Sequence, residues 1–435
     1  MSKEWVLGAG EEFRFEVDFK HTVEIRVQRG TAECFGAELG RDSSYSFSGE
    51  NGAIYTWDGC TLLVTGDCQS AYVAGETPMD STINVHMALQ QARVQARNDA
   101  TAMGPRVMVV GPDDCGKSSL VRILTNYAVR MGEAPLFVDL DPRDASVSVP
   151  GTVSVTPMTK TVDVEDGFMG YAMSSSAGPP DTPLVWQFGH EQPSDNSALF
   201  NLLVDRMAMA IDRRMANDAG CRAAGIIVDT CGFSDPSKCA TIDHAVVALR
   251  ITTLLVVGSE RMFSALSTRK FADHSVTVLK IARSGGTVDR SAAFRQQSNS
   301  RTIQRYFYGT SKEPFTSFST VAGFAEIRVL RVGAEDAVAP SSTLPLGEAR
   351  TLTDTSVLNV EIDEALKHSV LAVTDASVES LESGADTVAG MQALGFVNVS
   401  VVDMDKKRLI LVSPVPGRLP KQVLVYGDIK WMETM

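Results

Sequence analysis

A phosphate-binding turn between an apolar strand and a helix constrains this chain more than any other feature. Residues 111–118 meet every fixed position of the motif G-x-x-x-x-G-K-[ST], with the sequence Gly111-Pro112-Asp113-Asp114-Cys115-Gly116-Lys117-Ser118. The glycines let backbone N–H groups converge on phosphate oxygens, Lys117 can reach the β and γ phosphates, and the Ser118 hydroxyl suits Mg²⁺. The apolar run Val107–Val110 leads into the turn, and residues 118–131 have helical spacing, which places a helix N-terminus under the phosphates. This context favours a nucleotide-binding turn over a chance glycine-rich one.

The nucleotide predicted for this turn is ATP. No N-K-x-D pattern, which would indicate guanine recognition, follows the turn. The residues expected to hold the phosphates are Gly111, Asp114, Cys115, Gly116, Lys117, Ser118 and Ser119.

Two carboxylates follow the next apolar run, where a protein of this type holds its metal. The run Leu136–Val138 ends in Asp139-Leu140-Asp141, and the carboxyl end of a parallel strand lies beside the phosphate loop in such sheets. Residues i and i+2 of an extended chain point the same way, so Asp139 and Asp141 could both address Mg²⁺ or an attacking hydroxyl. A solvated acidic turn is the structural alternative.

Arginines are concentrated far downstream of this motif. Between residues 283 and 305 the chain carries Arg283, Arg290, Arg295, Arg301 and Arg305 but one acid, Asp289. Arginines that close over a nucleotide can stabilise charge on a transferring phosphoryl group. A solvated helix face also carries arginines, and the pattern leaves both interpretations open.

The composition narrows the class of protein. The chain has 435 residues and a formal net charge of −13, which argues against a protein that coats nucleic acid through many phosphate contacts. Its seven cysteines are odd in number and form no C-x-x-C pair, so a zinc site or disulfide framework is not expected. No secretory signal or membrane-spanning apolar run is visible. We therefore expect an intracellular protein, cytosolic or nuclear.

The hydrophobic patterns change twice along the chain. Short alternating runs such as residues 13–17 and 23–27 predict a small antiparallel β-sandwich. A helix over residues 83–98 follows, and the residues expected near one of its faces are Ile83, Met87, Ala88, Gln91 and Val94. We assign the sandwich and this linker helix to a first domain, residues 1–98.

The middle of the chain has a different pattern. Uninterrupted apolar runs at residues 107–110, 136–138, 225–228 and 253–257 alternate with helical segments, which predicts an α/β domain with a parallel sheet and helices on both faces. We assign residues 99–308 to this domain. Alternating runs return at residues 326–330 and 409–412, and the polar stretch 339–356 is expected to be a loop. Residues 309–435 form the predicted third domain.

The chain as a whole resembles the Clp-type polynucleotide 5′-hydroxyl kinases, a eukaryotic family that includes the ATP-binding subunit of the pre-mRNA 3′-end cleavage factor. The segments that carry the resemblance span nearly the whole chain and occur in the family's order. They are GTAECFGAEL at 30–39, GPRVMVVGP at 104–112, SVSVPGT at 146–152, RYFYG at 305–309 and PVPGRLP at 414–420.

The resemblance implies an architecture and a set of ATP contacts. It implies a small N-terminal β domain, a central P-loop kinase domain and a C-terminal α/β domain, with ATP at the junction of the first two. Glu12 and Asn51 match the family's adenine contacts. Asp141 matches the metal-linked carboxylate that serves as catalytic base, and Arg290 and Arg295 match its lid arginines.

The resemblance also implies RNA contacts and a change at the catalytic motif. Gln192 and Asn196 fall on a loop that holds the RNA end, and Phe233 falls on the aromatic that stacks on an RNA base. Active members have Gly-Gln after the catalytic Asp, whereas this chain has Arg143-Asp144 preceded by Pro142. That replacement adds bulk and negative charge where RNA would approach. The Asp-Pro sequence after the acidic strand resembles the fungal branch of the family, whose members hold ATP but have lost kinase activity.

Three hypotheses follow. The first is an ATP-binding subunit of the nuclear pre-mRNA cleavage and polyadenylation complex, in which ATP with Mg²⁺ is structural and a cleavage-factor subunit docks on the central domain. The second is an active kinase, in which Asp141 deprotonates an RNA 5′-hydroxyl while Lys117, Arg290 and Arg295 neutralise the developing charge. The third is a generic ATPase switch, for which no water-positioning residue can be assigned. DNA and membranes are not expected partners.

Overall fold

The computed structural model describes residues 2–169, 182–233, 240–271, 275–310, 312–314, 316–333, 355–376, 388–419 and 423–433. The chain divides into two compact units. The first comprises Met1–Val138, Thr156–Thr182 and Ile211–Ser298, and the second comprises Asp139–Val155, Pro183–Ala210 and Asn299–Met435. These units cut the chain at other points than the three domains assigned from the sequence, which stay a prediction.

Strands outnumber helices among the described residues, and the first helix begins at Met79. The strands are β1 (Ser2–Leu7), β2 (Glu12–Val17), β3 (Val23–Gly30), β4 (Glu33–Cys34), β5 (Ala37–Glu38), β6 (Ser44–Phe47), β7 (Glu50–Tyr55), β8 (Cys60–Thr65), β9 (Ser70–Ala74), β10 (Arg106–Val110), β11 (Leu136–Leu140), β12 (Thr152–Pro157), β13 (Leu184–Gln187), β14 (Ile226–Thr230), β15 (Thr253–Val257), β16 (Thr277–Ile281), β17 (Phe318–Gly323), β18 (Arg328–Val332), β19 (Val357–Asn359), β20 (Ser369–Thr374), β21 (Gln392–Asp403), β22 (Arg408–Ser413) and β23 (Val423–Lys430). The helices are α1 (Met79–Asn98), α2 (Lys117–Arg130), α3 (Ser197–Asn217), α4 (Ala219–Ala224), α5 (Ala240–Ala248), α6 (Glu260–Ser267) and α7 (Ala292–Tyr308), with a 3-10 helix at Glu364–Leu366.

The first unit begins with the predicted β-sandwich. One sheet has the order β1-β8-β3-β6 and the other β5-β4-β7-β2-β9, and neighbouring strands in both are antiparallel. Strand β3 alternates buried and exposed side chains, as a half-buried strand must. Phe13, Phe15 and Phe47 lie in the core between the sheets. The sandwich predicted from the alternating runs is confirmed.

A parallel sheet carries the phosphate-binding turn in the same unit. Its strand order is β16-β15-β10-β14-β11, and β10 runs parallel to both β14 and β15. All five residues of β10 and of β14 are buried, which explains why their sequences are apolar without alternation. The turn at residues 111–116 therefore leaves the carboxyl end of a central strand, where parallel sheets bind ligands.

The residues expected together on one face of the linker helix do not form its buried face. Helix α1 buries His86, Gln90 and Arg93, whereas Met87 and Val94 are exposed by 55% and 44%. The buried polar side chains find hydrogen-bond acceptors: Gln90 Nε2 donates to Glu133 Oε1 at 2.8 Å, and Arg93 Nε donates to the Ala224 carbonyl at 3.0 Å. Met79, Leu89 and Ala96 are buried on the same helix, so its buried side carries both polar and apolar side chains.

The second unit is built on a mostly antiparallel sheet. Its strand order is β12-β13-β21-β20-β23-β18-β19, and β22 pairs with both β17 and β21. Strands β18 and β23 are parallel. Leu371, Val397 and Leu411 lie in its main core. The strands predicted at residues 326–330 and 409–412 are found as β18 and within β22, while the loop predicted at 339–356 falls almost wholly outside the described residues.

Across the described residues, none of the helices has the length and apolar character needed to cross a membrane. No disulfide joins the six cysteines that lie in this part of the chain.

Candidate functional site

The phosphate-binding turn has the backbone that its glycines predict. Strand β10 ends at Val110 and α2 begins at Lys117. Gly116 precedes the helix with φ +95°, and Asp114 has φ +53°. Glycine adopts the left-handed region at little cost, and Asp is among the few other residues that do so readily. The chain can therefore curl tightly at the N-terminus of α2, with its amide groups available to an anion.

Gly111 is required by close packing. A Cβ at this position would lie 2.5 Å from the Val257 carbonyl oxygen and 2.8 Å from Cys115 Sγ. The Cys115 side chain is buried, and burial raises the pKa of its thiol. Cys115 is therefore a protonated packing residue beneath the turn, so any part it has in nucleotide binding comes from its backbone.

Lys117 lies across the turn. Its side chain is buried, and Nζ donates to the Pro112 carbonyl at 2.8 Å. Ser118 follows in the first turn of α2 and is exposed, and Ser119 is half-buried. A buried ammonium group, an exposed hydroxyl and a helix N-terminus together match the chemistry of a phosphate with its magnesium ion. The residues present therefore fit the nucleotide predicted from the sequence.

Asp114 brings together both arginines that match the family's lid. Its Oδ1 accepts from Arg290 Nε at 2.8 Å, and its Oδ2 accepts from the Arg290 backbone N–H at 2.9 Å and from Arg295 Nη2 at 2.6 Å. Burial opposes the charged carboxylate, but the hydrogen bonds and charges of the two arginines outweigh it and lower the pKa of Asp114. These two predicted residues therefore converge on the turn.

Residues 283–298, here named the arginine segment, lie against the turn. A Cβ on Gly116 would approach Thr287 Cγ2 to 3.2 Å. Arg283 donates from Nε to Thr287 Oγ1 at 2.6 Å and pairs through Nη2 with Asp289 at 3.1 Å. The sequence identified the arginines of this segment, but nothing in their spacing indicated that an acidic residue of the turn would bind two of them.

The two predicted adenine contacts lie apart on the N-terminal sheet. Glu12 is buried, and its Oε1 accepts from Arg14 Nε at 2.7 Å. In the sheet register Glu12 is opposite Tyr55, whereas Asn51 is opposite Glu16. Four residues along a strand correspond to about 13 Å. Both residues stay predicted contacts of the adenine.

The same sheet face holds a buried polar cluster that the sequence did not reveal. The Glu33 carboxylate accepts from the Tyr127 hydroxyl and from Arg130 Nη1, the latter at 2.7 Å. Burial, followed by the Glu33 charge, raises the pKa of Tyr127 far above its usual value. The available signal was Glu33 itself, an acidic residue within the otherwise apolar stretch Ala32–Phe35. Through this cluster the far end of α2 is fixed to the β-sandwich.

Asp139 near the end of β11 and Asp141 just after the strand organise the turn that follows them. Asp139 Oδ1 accepts from the Asp141 backbone N–H at 3.0 Å, and its Oδ2 accepts from the Ser146 N–H at 2.8 Å. Asp141 Oδ1 accepts from the N–H groups of Arg143 and Asp144 at 3.1 and 3.4 Å. The Pro142-Arg143-Asp144 turn is therefore wrapped around the Asp141 carboxylate. Among the described residues, no group of three or more His, Cys, Asp or Glu side chains is arranged to hold a metal.

The predicted RNA contacts occupy different local settings. Asn196 caps α3, since its Oδ1 accepts from the Leu199 N–H at 3.0 Å, and this explains its burial. Gln192 is exposed, and its N–H donates to Asp195 Oδ2 at 2.9 Å. Phe233 is half-buried and its N–H donates to the Gly111 carbonyl at 2.9 Å. Phe233 therefore lies at the phosphate-binding turn.

Three family models match the chain in succession. The N-terminal β-sandwich domain of polyadenylation factor matches residues 6–96. The P-loop of mRNA cleavage and polyadenylation factor CLP1 matches residues 111–309. Pre-mRNA cleavage complex II protein Clp1 matches residues 315–433.

Full-length relatives agree with these matches. The mRNA cleavage and polyadenylation factor clp1 of Botryotinia fuckeliana (strain B05.10) is 38% identical, covering 98% of this chain and 92% of that relative. A Danio rerio relative named polyribonucleotide 5′-hydroxyl-kinase Clp1 is 36% identical, covering 97% of this chain and 92% of its own length.

The fold is also found among solved structures. Clp1p in the wild-type Clp1p–Pcf11p complex superposes with a TM-score of 0.85 at 24% identity, covering 100% of this chain and 99% of that one. A second Clp1p structure, described for its extended interface with Pcf11p and for ATP loss in a point mutant, gives the same TM-score at 23% identity. The fold follows from these structures and the family from the sequence relatives: the chain belongs to the Clp1 family of mRNA cleavage and polyadenylation factors.

Proposed function

We propose that this chain is the ATP-binding subunit of the nuclear pre-mRNA cleavage and polyadenylation complex, required for endonucleolytic 3′-end cleavage, and that it holds ATP with Mg²⁺ as a structural ligand. The phosphate-binding turn supports this proposal, because Gly111 and Gly116 form a tight turn before the N-terminus of α2 and the Lys117 side chain lies across that turn. Membership of the Clp1 family supports the assignment to the complex and to the nucleus.

The proposal assigns each group of residues a part in holding the nucleotide. The turn, with Ser119 after it, binds the phosphates, Lys117 supplies positive charge, and Glu12 contacts the adenine. Mg²⁺ prefers oxygen ligands, and Ser118 supplies a hydroxyl while Asp139 and Asp141 stay the predicted carboxylate ligands. When bound, the ion neutralises phosphate charge; the chain's own residues orient the triphosphate and exclude water from it.

The partner we propose is a cleavage-factor subunit that docks on the central domain. Two solved relatives of the same fold are described in complex with Pcf11p or by their interface with it. Those descriptions concern Clp1p. They support the proposal for this chain because the fold matches over its whole length.

The turn after β11 supports holding rather than transferring the phosphoryl group. The base of a 5′-hydroxyl kinase must accept a proton from RNA. Asp141 Oδ1 already accepts two backbone N–H groups, and Arg143 and Asp144 stand where active members have Gly-Gln. That oxygen is therefore held by the backbone of the turn.

A second candidate is an active polynucleotide 5′-hydroxyl kinase. The Danio rerio relative carries that name at 36% identity, and Lys117, Arg290 and Arg295 are retained here. In this alternative Asp141 takes the proton of the RNA 5′-hydroxyl, and the three cationic side chains stabilise the charge that develops on the transferred group.

A cleavage assay depleted of this protein tests the proposed function. Added wild-type protein loaded with a hydrolysis-resistant ATP analogue is expected to restore pre-mRNA cleavage as well as protein loaded with ATP. Lys117→Ala, which removes the buried ammonium group, should restore it poorly. A strict requirement for hydrolysable ATP would contradict a structural role.

A transfer assay separates the two candidates. With γ-labelled ATP and a 5′-hydroxyl RNA oligonucleotide, we expect no label on the RNA from the wild-type chain. The double variant Arg143→Gly with Asp144→Gln should gain activity if those residues are the block. Label transfer by the wild type that is lost in Lys117→Ala would establish the kinase instead.

A further inference from the structure

Asp114 occupies an unusual place within the phosphate-binding turn. Its backbone is in the left-handed region, with φ +53°, a conformation that costs an ordinary residue roughly 1 kcal/mol. Its side chain is 6% exposed. The carboxylate is bound by groups from the arginine segment, residues 283–298. Forming the turn does not by itself require a buried carboxylate that binds two arginines, so Asp114 has a further role.

The contacts of Asp114 are of the strong kind. Three donors reach it, namely Arg290 Nε, the Arg290 backbone N–H and Arg295 Nη2, at 2.8, 2.9 and 2.6 Å. Hydrogen bonds between charged groups are shorter and stronger than neutral ones. The Arg295 side chain is 14% exposed, so water screens this pair little. Together these bonds fix the start of α7 against the turn.

The arginine segment is also fixed on its other side, to the β-sandwich. The rings of Phe294 and Phe19 meet edge to face with centroids 5.1 Å apart. Arg14 Nη2 donates to Ser284 Oγ at 3.3 Å. A Cβ on Gly286 would lie 2.6 Å from Arg14 Cδ, so the segment packs closely here. It thus spans from the sheet that holds Glu12 to the turn that holds Lys117.

We propose that Asp114 is a latch that keeps the arginine segment closed over the phosphate-binding turn and thereby sets how slowly a bound nucleotide leaves. The part of this proposal that concerns nucleotide release rests on the proposed function. Release of a ligand from beneath a closed segment requires the segment to open, so the stability of the closed state limits the off-rate. Asp114 acts through the arginines and is a positioning residue.

The variant Asp114→Asn tests the latch with the least disturbance. Asn tolerates the left-handed region nearly as well as Asp, and it removes the charge while keeping the size. The matched control is Asp289→Asn, because Asp289 lies in the same segment, pairs with Arg283 at 3.1 Å and is 86% exposed. An exposed pair contributes little to stability.

Two measurements are made on each protein. The first is hydrogen–deuterium exchange of peptides covering residues 283–298 without nucleotide. The second is the off-rate of a fluorescent ATP analogue, with Mg²⁺ present, after a chase with excess ATP.

The latch predicts a joint result. Asp114→Asn should raise deuterium uptake across residues 283–298 and speed analogue release about tenfold, while Asp289→Asn changes neither. Unchanged exchange in Asp114→Asn would overturn the latch, and so would slower release, which would mean that the carboxylate competes with the phosphates for the arginines. A wild-type chain that carries no adenine nucleotide and takes up no analogue would refute the proposed nucleotide function, and the exchange result would still decide the latch.

Discussion

At the scale of single residues, two glycines and two charged groups define the candidate site. The motif predicted a tight turn at Gly111 and Gly116, because its spacing fixes their backbone requirements, and the structure has that turn. The motif did not predict that Asp114 binds Arg290 and Arg295. Residues 176 or more positions apart in sequence share no local signal. Contacts of this kind depend on how the chain folds back.

Gly116→Ala tests the turn. The added Cβ would strain a backbone with φ +95° and approach Thr287 Cγ2 to 3.2 Å. We expect nucleotide affinity to fall at least about tenfold and unfolding free energy to fall by roughly 1 kcal/mol. Isothermal titration with ATP and Mg²⁺, together with urea unfolding, measures both quantities.

Gly132→Ala is the control for this change. Gly132 has φ +78° and no atom within 4 Å of its added Cβ. It should lose similar stability through backbone strain but keep nucleotide affinity. An equal loss of affinity in both variants would contradict a specific role for Gly116.

At the scale of elements, α2 joins the phosphate-binding turn to the β-sandwich. It begins at Lys117, and near its other end Tyr127 and Arg130 bind Glu33 of β4. The helix was predictable because Leu120, Leu124 and Tyr127 repeat on one face, and all three are buried. The buried face of α1 was not predictable, because polar side chains such as that of Gln90 are buried there and form hydrogen bonds.

Tyr127→Phe tests the polar contact at the end of α2. Removing the hydroxyl leaves the buried Glu33 carboxylate without one of its donors, so we expect a loss of about 1–3 kcal/mol in unfolding free energy. Tyr72→Phe, at a position 42% exposed, should cost less than about 0.5 kcal/mol. Urea unfolding measures the loss of unfolding free energy in each variant. Equal losses in Tyr127→Phe and Tyr72→Phe would contradict the role assigned to the Tyr127 hydroxyl.

The packing of α1 predicts a pH effect from His86. Burial, then the charges of Arg93 and Arg130, lowers the pKa of His86 from 6.5 to about 4. As the pH falls below 6.5 the unfolded chain takes up a proton that the folded chain does not, so stability is lost toward pH 4. At about pH 5 this amounts to roughly 1–2 kcal/mol.

The variant His86→Gln checks this linkage. Between about pH 7 and about pH 5, its unfolding free energy in urea should change less than that of the wild type by that amount. A parallel pH dependence in wild type and His86→Gln would show that His86 does not titrate differently on folding.

At the scale of the whole molecule, the sequence predicted the sandwich from its alternating runs and the central parallel strands from their uninterrupted apolar runs. It did not predict β12, which is buried at all six positions although Thr152, Ser154 and Thr156 carry hydroxyls. Nor did it predict β16, an edge strand with three exposed residues. Burial of such residues is decided by neighbouring strands, which a local pattern does not show.

A structural nucleotide should stabilise the folded chain. Binding to the folded state alone adds RT ln(1 + [L]/Kd), which is about 4 kcal/mol at a thousandfold excess over Kd. We therefore expect ATP with Mg²⁺ to raise the unfolding temperature and excess EDTA to reverse most of that rise. The control is a thermal unfolding scan of Lys117→Ala, whose unfolding temperature should change little when ATP is added.

The nucleotide content of the native protein tests the central claim most directly. Protein purified without added nucleotide is denatured, and the released bases and phosphates are separated and quantified. We predict about one adenine nucleotide per chain, recovered as intact ATP, as expected for a ligand held far above its Kd in cells. Protein that carries no adenine nucleotide, and takes none up when ATP and Mg²⁺ are supplied, would contradict the account.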